Sequence, residues 1–357
     1  MITTKDLVAP FQGKRVLVTG HTGFKGSWLC TILDLLGADV FGYSLAEPVD
    51  KRHSYYALNT LSFIKNPQTH IGDVRDLNRF RDEFVAARPD YIFHLAAQPI
   101  VSISYTDPYL TFSSNILGVL NALEILKAEG SQTTAVIITS DKCYKNKEQA
   151  APYIENDEMG GDDPYSASKG AAELVFHSYS TSFPDLCQKY GLASVRAGNV
   201  FGGGDWSTNR LIPDCARELF SSQSITIRMP KAVRPWTFVV DILFGYLILA
   251  ANLRDQPAEF RGSWNFASRE TKTVREVVEL FIERLGFGTL IIDEASAFGK
   301  EAGLLLIDPA KAEHKLGWRP KFSVAEALAQ TADWYRDQHQ GEHMANVSHT
   351  FIKDNYL

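Results

Sequence analysis

The stretch that decides the fold reads Arg15-Val-Leu-Val-Thr19, followed by Gly20-His-Thr-Gly23-Phe-Lys-Gly26. Its first five residues form a continuous apolar strand, and from Phe24 to Leu36 apolar residues recur at helical spacing. The glycines between them permit a tight turn, let the main chain approach a pyrophosphate closely and leave a helix N-terminus facing the negative charge. Strand, glycine turn and helix in this order predict a dinucleotide-binding loop rather than a purely structural turn.

The alternation of strands and helices continues beyond this loop and then loosens. Apolar strands separated by helices predict an α/β fold, in which a doubly wound parallel-sheet Rossmann domain binds ligands at the carboxyl edge of its strands. We expect this domain to cover residues 1–200 plus 236–262, and a smaller α/β C-terminal substrate domain to cover 201–235 plus 263–357. The polar residues from about Gly341 onward are predicted to be loosely ordered. Further strands are predicted at Asp39–Ser44, His70–Gly72, Tyr91–Leu95, Ala135–Thr139, Leu192–Arg196 and Leu290–Ile292, and further helices at Leu77–Ala87, Tyr109–Ala128, Tyr165–Ser182, Val274–Leu285 and Val324–His339.

Composition narrows the class of protein. The 357 residues are 45% hydrophobic and 22% charged, which is ordinary for a globular enzyme. A net charge of −6 without a basic run argues against a nucleic-acid binder. We expect no signal segment and no membrane span. Because the cysteines lack metal-type or redox-type spacing, we expect buried thiols in a reducing cytoplasm and no metal. They are Cys30, Cys143, Cys187 and Cys215.

The segment Tyr165-Ser-Ala-Ser-Lys169 spaces a phenol and an amine so that they share one helix face, one turn apart. A phenol titrates near ~10 and is a poor base at neutral pH. Lowering its pKa by about 3 takes about 4 kcal/mol, which a close ammonium in a partly dry site supplies. The sequence therefore predicts Tyr165 as a catalytic base assisted by Lys169, with Ser140 bonding the substrate hydroxyl; an exposed surface pair is the alternative.

The glycine spacing Gly-x-x-Gly-x-x-Gly, together with Tyr165, Lys169 and Ser140, resembles the extended short-chain dehydrogenase/reductase family. The resemblance implies NAD as cofactor, although Ser44 stands where an acidic residue would mark NAD and no Arg stands at 44 or 45 to mark NADP. His94 and Asn115 match the family pattern near the cofactor or are satisfied core residues. The implied cofactor-binding residues are Gly20, Thr22, Gly23, Phe24, Lys25, Gly26, Asp73, Val74, Leu95, Ala96, Ala97, Asn115, Tyr165 and Lys169.

The run Ser140-Asp141-Lys142 resembles the catalytic segment of sugar-nucleotide 4,6-dehydratases within this family. In those enzymes the Asp protonates the leaving C6 hydroxyl and a following Glu takes the C5 proton. Here Asp141 is kept, but Lys142 replaces the Glu and reverses its charge. Lys142 is then either a neutral base for the C5 proton or a charged stabiliser of the enolate, and both alternatives stay open.

Two further segments resemble those with which members of the family bind the nucleotide diphosphate. They are Arg196-Ala-Gly-Asn199-Val-Phe-Gly202 and Arg234-Pro-Trp236-Thr-Phe-Val-Val-Asp241. The predicted substrate-binding residues are Asn199, Arg210 and Arg234, since a guanidinium fork suits a diphosphate. Arg210, Trp206 and Asn209 lie in the loop between the two segments and either line the site or anchor the small domain.

Residues 21–28 and 140–144 look like the branch of the family that acts on CDP-glucose. This resemblance implies CDP-4-keto-6-deoxyglucose as product, for dideoxysugars of bacterial surface polysaccharide (O-antigen). It also implies a homodimer, or a dimer of dimers, formed through Tyr109–Ala128 and Tyr165–Ser182. A nucleotide-sugar 4-epimerase, a dehydratase of another nucleotide sugar and, remotely, a non-catalytic NAD-sensing regulator are the alternatives.

Overall fold

The structure, a computed structural model, describes residues 4–46, 54–59, 61–65, 71–130, 132–188, 190–293 and 303–357. Within them, a six-stranded parallel sheet has the order β10-β5-β4-β3-β1-β2. The predicted doubly wound parallel sheet is thus confirmed. The sheet strands are β1 Arg15–Thr19, β2 Asp39–Tyr43, β3 Tyr91–His94, β4 Thr134–Ile138, β5 Leu192–Arg196 and β10 Gly262–Asn265. Three strand pairs lie outside this sheet: β6 Val200–Phe201 with β9 Thr237–Phe238, β7 Ser224–Ile227 with β12 Thr289–Ile292, and β8 Val233–Arg234 with β11 Lys272–Thr273.

Helices cover both faces of the sheet. The longer ones are α1 Phe24–Leu35, α2 Leu77–Ala87, α3 Gly118–Glu129, α4 Pro164–Ser182, α5 Leu211–Ser222, α6 Val239–Asp255, α7 Val274–Leu285, α8 Val324–Gln340 and α9 Met344–Tyr356. Short helical segments lie at Thr4–Asp6, Val8–Phe11, Tyr55–Asn59, Val101–Thr106, Pro108–Phe112, Ser113–Leu117, Asp141–Cys143, Pro184–Gln188, Pro257–Phe260 and Ala310–Leu316.

Alternate side chains of the central strands enter two cores. Val16 and Val18 point into a large core shared with α1, α6 and the C-terminal helices. Leu17 and Ile92 point into a second core shared with α2, α3 and α4. Because both faces are covered, these strands are apolar along their whole length, and the carboxyl edge of the sheet stays available for ligands.

The predicted helix Tyr109–Ala128 is confirmed as an unbroken helical stretch, Pro108–Glu129, with a π-helical turn inside it. It consists of Pro108–Phe112, a π-helical turn at Ser113–Leu117 and then α3. By length and composition the stretch Pro108–Glu129 could cross a membrane, with a mean hydropathy of 1.2, but 56% of the apolar window is buried in the fold. That degree of burial is typical of the core helix of a soluble protein.

The expectation of a loosely ordered C-terminus is wrong. Gly341 ends α8 with a φ of 83°, and α9 then packs Ile352 with no exposed surface. The Tyr356 hydroxyl donates to Asp241 at 2.8 Å, and Asp241 also accepts from the main-chain N–H of Lys321 at 2.9 Å. The segment is polar on average, but one helix face is apolar and meets a buried carboxylate of α6.

Two other expectations have a mixed outcome. His70 lies outside the described residues, and in the described part of the predicted third strand Ile71 makes one bridge with Ser44. The main sheet includes Gly262–Asn265, which the expected domain boundary after residue 262 would divide. The two-domain division stays a prediction.

Candidate active site

The glycine turn after β1 is closed by close main-chain contacts. Gly20 has a φ of 74°, and a Cβ there would lie 2.8 Å from the Ala96 nitrogen. A Cβ on Gly26 would lie 2.1 Å from the Gly20 carbonyl oxygen. Gly23 begins α1 without a side-chain cap, so that no side chain occupies the helix N-terminus. These features fit a dinucleotide pyrophosphate, which needs a close main-chain approach and free N–H groups.

Hydroxyl groups lie where an acidic residue would bind the adenosine ribose. Ser44 Oγ is 2.9 Å from Thr22 Oγ1 and 3.2 Å from His21 Nδ1. His21 is fully buried beneath the turn, and a Cβ on Gly42 would lie 2.7 Å from its ring. The described end of β2 therefore offers neutral hydrogen-bonding groups.

The end of β3 forms the next wall of the predicted cofactor site. His94 Nδ1 is 2.9 Å from Thr19 Oγ1, which also accepts from the Ala96 N–H at 3.2 Å. Burial lowers the pKa of His94 to about 3, so that the imidazole is neutral at pH 7. The half-buried Leu95 and Ala97 flank Ala96.

The predicted adenine contact, Asp73, is already paired. Its carboxylate accepts from Arg75 Nη2 at 2.6 Å and from the Arg75 main-chain N–H at 2.9 Å. Hydrogen bonds from Arg75 hold the pKa of Asp73 below its ordinary value. Val74 is buried, and its carbonyl accepts from Asn121 Nδ2 at 2.8 Å. The Asp73 carboxylate and the Val74 carbonyl thus both have hydrogen-bond partners that hold this turn in place.

Asn115 lies inside the π-helical turn, which sequence periodicity did not predict. Its Oδ1 accepts from the Gln98 N–H at 2.8 Å, and its Nδ2 donates to the Ser168 hydroxyl at 2.8 Å. Single π turns often occur at functional sites because they redirect one side chain. Here the turn connects the loop after β3 to the helix that carries Tyr165 and Lys169.

The segment after β4 presents the acid. Ser140 begins a short 3₁₀ helix, Asp141–Cys143, and its Oγ accepts from the Lys142 N–H at 3.2 Å. The same hydroxyl donates to Asp141 Oδ1 at 2.9 Å. Asp141 is buried, and its Oδ2 has no hydrogen-bond partner among the residues that the structure describes. A buried, unpartnered carboxylate oxygen indicates a group kept for a ligand.

Tyr165 and Lys169 lie on one face of α4, both buried, with Lys169 Nζ 5.9 Å from the centre of the phenol ring. Burial raises the pKa of Tyr165 to about 12, although a hydrogen bond with Ser140 and the charge of Arg210 lower it. Desolvation of the phenolate is therefore the larger effect, and the assistance that the sequence analysis assigned to Lys169 stays a prediction. The two side chains do share one helix face, as their spacing predicts.

The sequence analysis missed the charge state of Lys25. Burial, Arg210 and Lys169 lower the pKa of Lys25 to about 7, against the attraction of Asp141. Burial also lowers the pKa of Lys169 to about 8. No local pattern could reveal this, because the interacting cations come from α1, α4 and the loop before α5.

A buried ion pair below the site was also missed. Glu173, one turn after Lys169, accepts from Arg196 Nη2 at 2.6 Å and from the hydroxyl of Thr139, the residue before Ser140. Arg196 also donates to the Tyr144 hydroxyl at 2.7 Å. The pair joins α4 to the ends of β4 and β5. The spacing Lys169-x-x-x-Glu173 was the available sequence signal.

Of the predicted substrate residues, Arg210 interacts with the catalytic groups in the described contacts. Asn199 follows β5 with a φ of 49°. Arg210 donates to Asp205 Oδ2 at 3.2 Å and is close enough to Tyr165 to lower its pKa. Arg234 is buried in β8, where its Nη1 donates to two main-chain carbonyls, each at 2.9 Å. Asn209 Nδ2 donates to Ser102 Oγ at 3.1 Å.

The arrangement combines a phenol, a hydroxyl and a buried carboxylate within a cationic surrounding. A phenol and a hydroxyl suit removal of a proton from an alcohol. A carboxylic acid next to them suits protonation of a leaving hydroxyl. The cations of Lys25, Lys169 and Arg210 favour anionic ligands such as diphosphates.

Comparison with known proteins identifies the family. Residues 17–331 match the model of the GDP-mannose 4,6 dehydratase family. The chain is 42% identical over 351 residues to the CDP-glucose 4,6-dehydratase of Salmonella typhimurium, with 96% of each chain covered. The epimerase Mth375 of Methanothermobacter thermautotrophicus superposes with a TM-score of 0.78 at 25% identity, covering 94% of this chain and 96% of that one. The UDP-glucose 4-epimerase of Thermus thermophilus, solved with NAD, gives a TM-score of 0.74 at 26% identity, with 90% and 99% covered.

The match extends from β1 into the first half of α8 and includes the glycine turn, the Ser140 segment and the Tyr165–Lys169 pair. The resemblance drawn from those motifs is confirmed. The chain belongs to the GDP-mannose 4,6 dehydratase family.

Proposed function

We propose that the chain converts CDP-D-glucose to CDP-4-keto-6-deoxy-D-glucose and water. The observation that carries this proposal is the 42% identity to a CDP-glucose 4,6-dehydratase over 96% of both chains. Asp141 supports the reaction type, because a buried acid beside Ser140 is what removal of the C6 hydroxyl requires.

The cofactor is NAD, which the glycine turn, the uncapped start of α1 and the end of β3 would hold. When bound, NAD would supply the acceptor for the C4 hydride and the donor of that hydride to C6; with a proton returned to C5, no net oxidation results. The first main-chain N–H groups of α1, those of Phe24, Lys25 and Gly26, would hold its pyrophosphate.

The first step that this chain performs is removal of the C4 hydroxyl proton. Tyr165 accepts that proton, and Ser140, which is hydrogen-bonded to the phenol, orients the hydroxyl. Arg210 and a hydrogen bond with Ser140 lower the pKa of the phenol against its burial, and Lys169 is assigned the same role from its place one helical turn away. General-base assistance of this kind contributes typically about 10²–10⁴-fold.

The second step is loss of water across C5 and C6. Once C4 is a ketone, the C5 proton is acidic, and Asp141 protonates the leaving C6 hydroxyl. Lys142, half-buried beside Asp141, either takes the C5 proton as a neutral amine or stabilises the enolate as a cation. Lys142→Met tests both roles through solvent deuterium exchange at C5, and unaltered turnover would remove Lys142 from the mechanism.

Substrate binding is assigned to Asn199, Arg210 and Arg234. Arg210 suits the diphosphate because it lies beside Tyr165 with its Nη1 on Asp205 and other donors unused in the described contacts. Arg234 contributes positive charge from β8. Cytosine is proposed as the nucleotide base because the Salmonella typhimurium relative is a CDP-glucose 4,6-dehydratase.

A second copy of this chain is the proposed partner. Apolar side chains are exposed on the segment before α3 and on α4, including Tyr109 at 81% and Leu174 at 59%. An exposed apolar surface of this kind is typical of a protein–protein interface. Tyr109→Asp together with Leu174→Asp should give a monomer by light scattering, and an unchanged mass would contradict the dimer.

The buried thiols of Cys30, Cys143 and Cys215 suit a reducing cytoplasm, where the product would enter dideoxysugar synthesis for surface polysaccharide.

The activity is tested by incubating the purified protein with NAD and CDP-, UDP-, dTDP- and GDP-glucose. We expect a 4-keto-6-deoxy product, detected by its absorbance in alkali, from CDP-glucose alone. The isosteric Asp141→Asn variant should oxidise C4 but release little product. Turnover of dTDP-glucose but not of CDP-glucose would contradict the proposed substrate. Recovery of a C4 epimer alone would favour the epimerase alternative, the activity named for two of the similar solved structures.

A further inference from the structure

The acid Asp141 lies against a glycine of the neighbouring strand end. A Cβ built on Gly198 would lie 1.8 Å from Asp141 Oδ2, 2.1 Å from Cγ and 2.5 Å from Oδ1. The three nearest atoms are thus all from one carboxylate. The Asp141 carboxylate therefore packs directly against Cα of Gly198 and occupies the space that a Cβ would need.

The main chain at position 198 does not itself require glycine. Gly198 is absent from the glycines with positive φ, so its backbone conformation suits an L residue. Its own φ gives no reason for glycine, whereas Gly20 and Gly204 need theirs. The space taken by Asp141 is the reason that remains.

The main chain is held in place on both sides of this contact. Arg196, at the end of β5, pairs with Asn265 and is held by Glu173, while Val200 pairs with Thr237 in β6 and β9. On the other side, the main chain of Asp141 is fixed in the 3₁₀ helix that Ser140 begins. The carboxylate would have to rotate away and lose the 2.9 Å hydrogen bond from Ser140.

We propose that Gly198 is a positioning residue for the elimination step, because only a residue without a Cβ lets Asp141 reach the sugar C6 hydroxyl. The inference rests on the proposed function for its catalytic meaning, but its steric part stands independently. The three atoms nearest to a Cβ at 198 all belong to Asp141, so the direct clash is with the acid and not with the phenol or the amine of α4. The reaction then stops after C4 oxidation.

The test is a double-variant cycle of Gly198→Ala and Asp141→Ala, with product formation and melting temperature measured for each protein. In Gly198→Ala we expect dehydration to fall about 100-fold or more, as for a lost general acid. Reduced cofactor, followed by its absorbance after CDP-glucose is added, should still form at nearly the original rate. In the Asp141→Ala background, the alanine at 198 should lower neither the residual product formation nor the melting temperature further.

The stability half of the cycle keeps the steric inference separate from the reaction. If wild-type protein does not turn over CDP-glucose, the proposed function fails, but Gly198→Ala should still cost melting temperature only when Asp141 is present. Should Gly198→Ala not fold while the double variant does, the contact is supported. Equal losses in both backgrounds, or full dehydration by Gly198→Ala, would overturn the proposal.

Discussion

The Glu173–Arg196 ion pair provides the sharpest stability prediction. Replacing Glu173 by Gln keeps the size of the side chain and removes its charge. The two side chains are 1% and 3% exposed, with 2.6 Å between Arg196 Nη2 and Glu173 Oε2. Burial raises the pKa of Glu173, but Arg196 and hydrogen bonds outweigh burial and hold that pKa below its ordinary value.

The expected loss follows from the burial of the guanidinium that remains. Removing one partner of a buried pair costs about 3–5 kcal/mol, because the other charge stays desolvated without compensation. At about 2 °C per kcal/mol for a long chain, the melting temperature should fall by about 6–10 °C. Since the folded-state pKa is depressed, the pair stabilises the protein above the unfolded pKa of about 4.3, and this contribution is lost as the pH falls through the folded value.

The assay is denaturant unfolding followed by far-UV circular dichroism, from pH 3 to pH 8. The matched control is Glu279→Gln, which removes the carboxylate from an exposed pair with Arg275 at 57% and 48% exposure. That change should cost less than about 1 kcal/mol. Equal losses for Glu173→Gln and Glu279→Gln would refute the reasoning, and so would a Glu173→Gln loss that persists undiminished at pH 3.

Three further outcomes are expected. Because burial lowers the pKa of Lys169 to about 8, product formation should decline as the pH rises through about 8. Lys169→Arg should move this decline to higher pH. An unchanged pH–rate profile in Lys169→Arg would show that the charge of Lys169 does not control the rate. Gly26→Ala should lose NAD binding in a fluorescence titration, since its Cβ would lie 2.1 Å from the Gly20 oxygen, and unchanged affinity would disprove the fit. Burial raises the pKa of Asp241 to about 6, so the folded state binds more protons than the unfolded state. The contribution of Asp241 to the free energy of unfolding should therefore fall as the pH rises from about 4 to 6. The stability difference between wild type and Asp241→Asn in urea unfolding should change across that window, and a constant difference would contradict this.

Most of the fold was predictable because hydrophobic periodicity is local. The bounds predicted for β1, β5, α2 and α7 agree with those observed. The pattern failed where a tertiary contact changes the backbone or covers a polar segment. Within the π turn at Ser113–Leu117, Asn115 bonds the loop after β3, and sequence spacing does not reveal this partner.

The candidate site was partly predictable for the same reason. Tyr165 and Lys169 share a helix face by their spacing alone, and Asp141 follows a strand end. The pKa of Tyr165 was not predictable, because it depends on how much solvent the packed protein excludes. Nor was the contact of Gly198 with Asp141, which joins the ends of two different strands.

The sequence by itself determined the parallel sheet, the glycine turn, the order of the catalytic groups and the family. Each of these depends on spacing within one strand, turn or helix. Only the tertiary structure decided which charges face one another, which groups lose their water and where α9 lies. Those properties depend on distances between segments far apart in the chain, since electrostatic and desolvation energies follow separation in space and not in sequence.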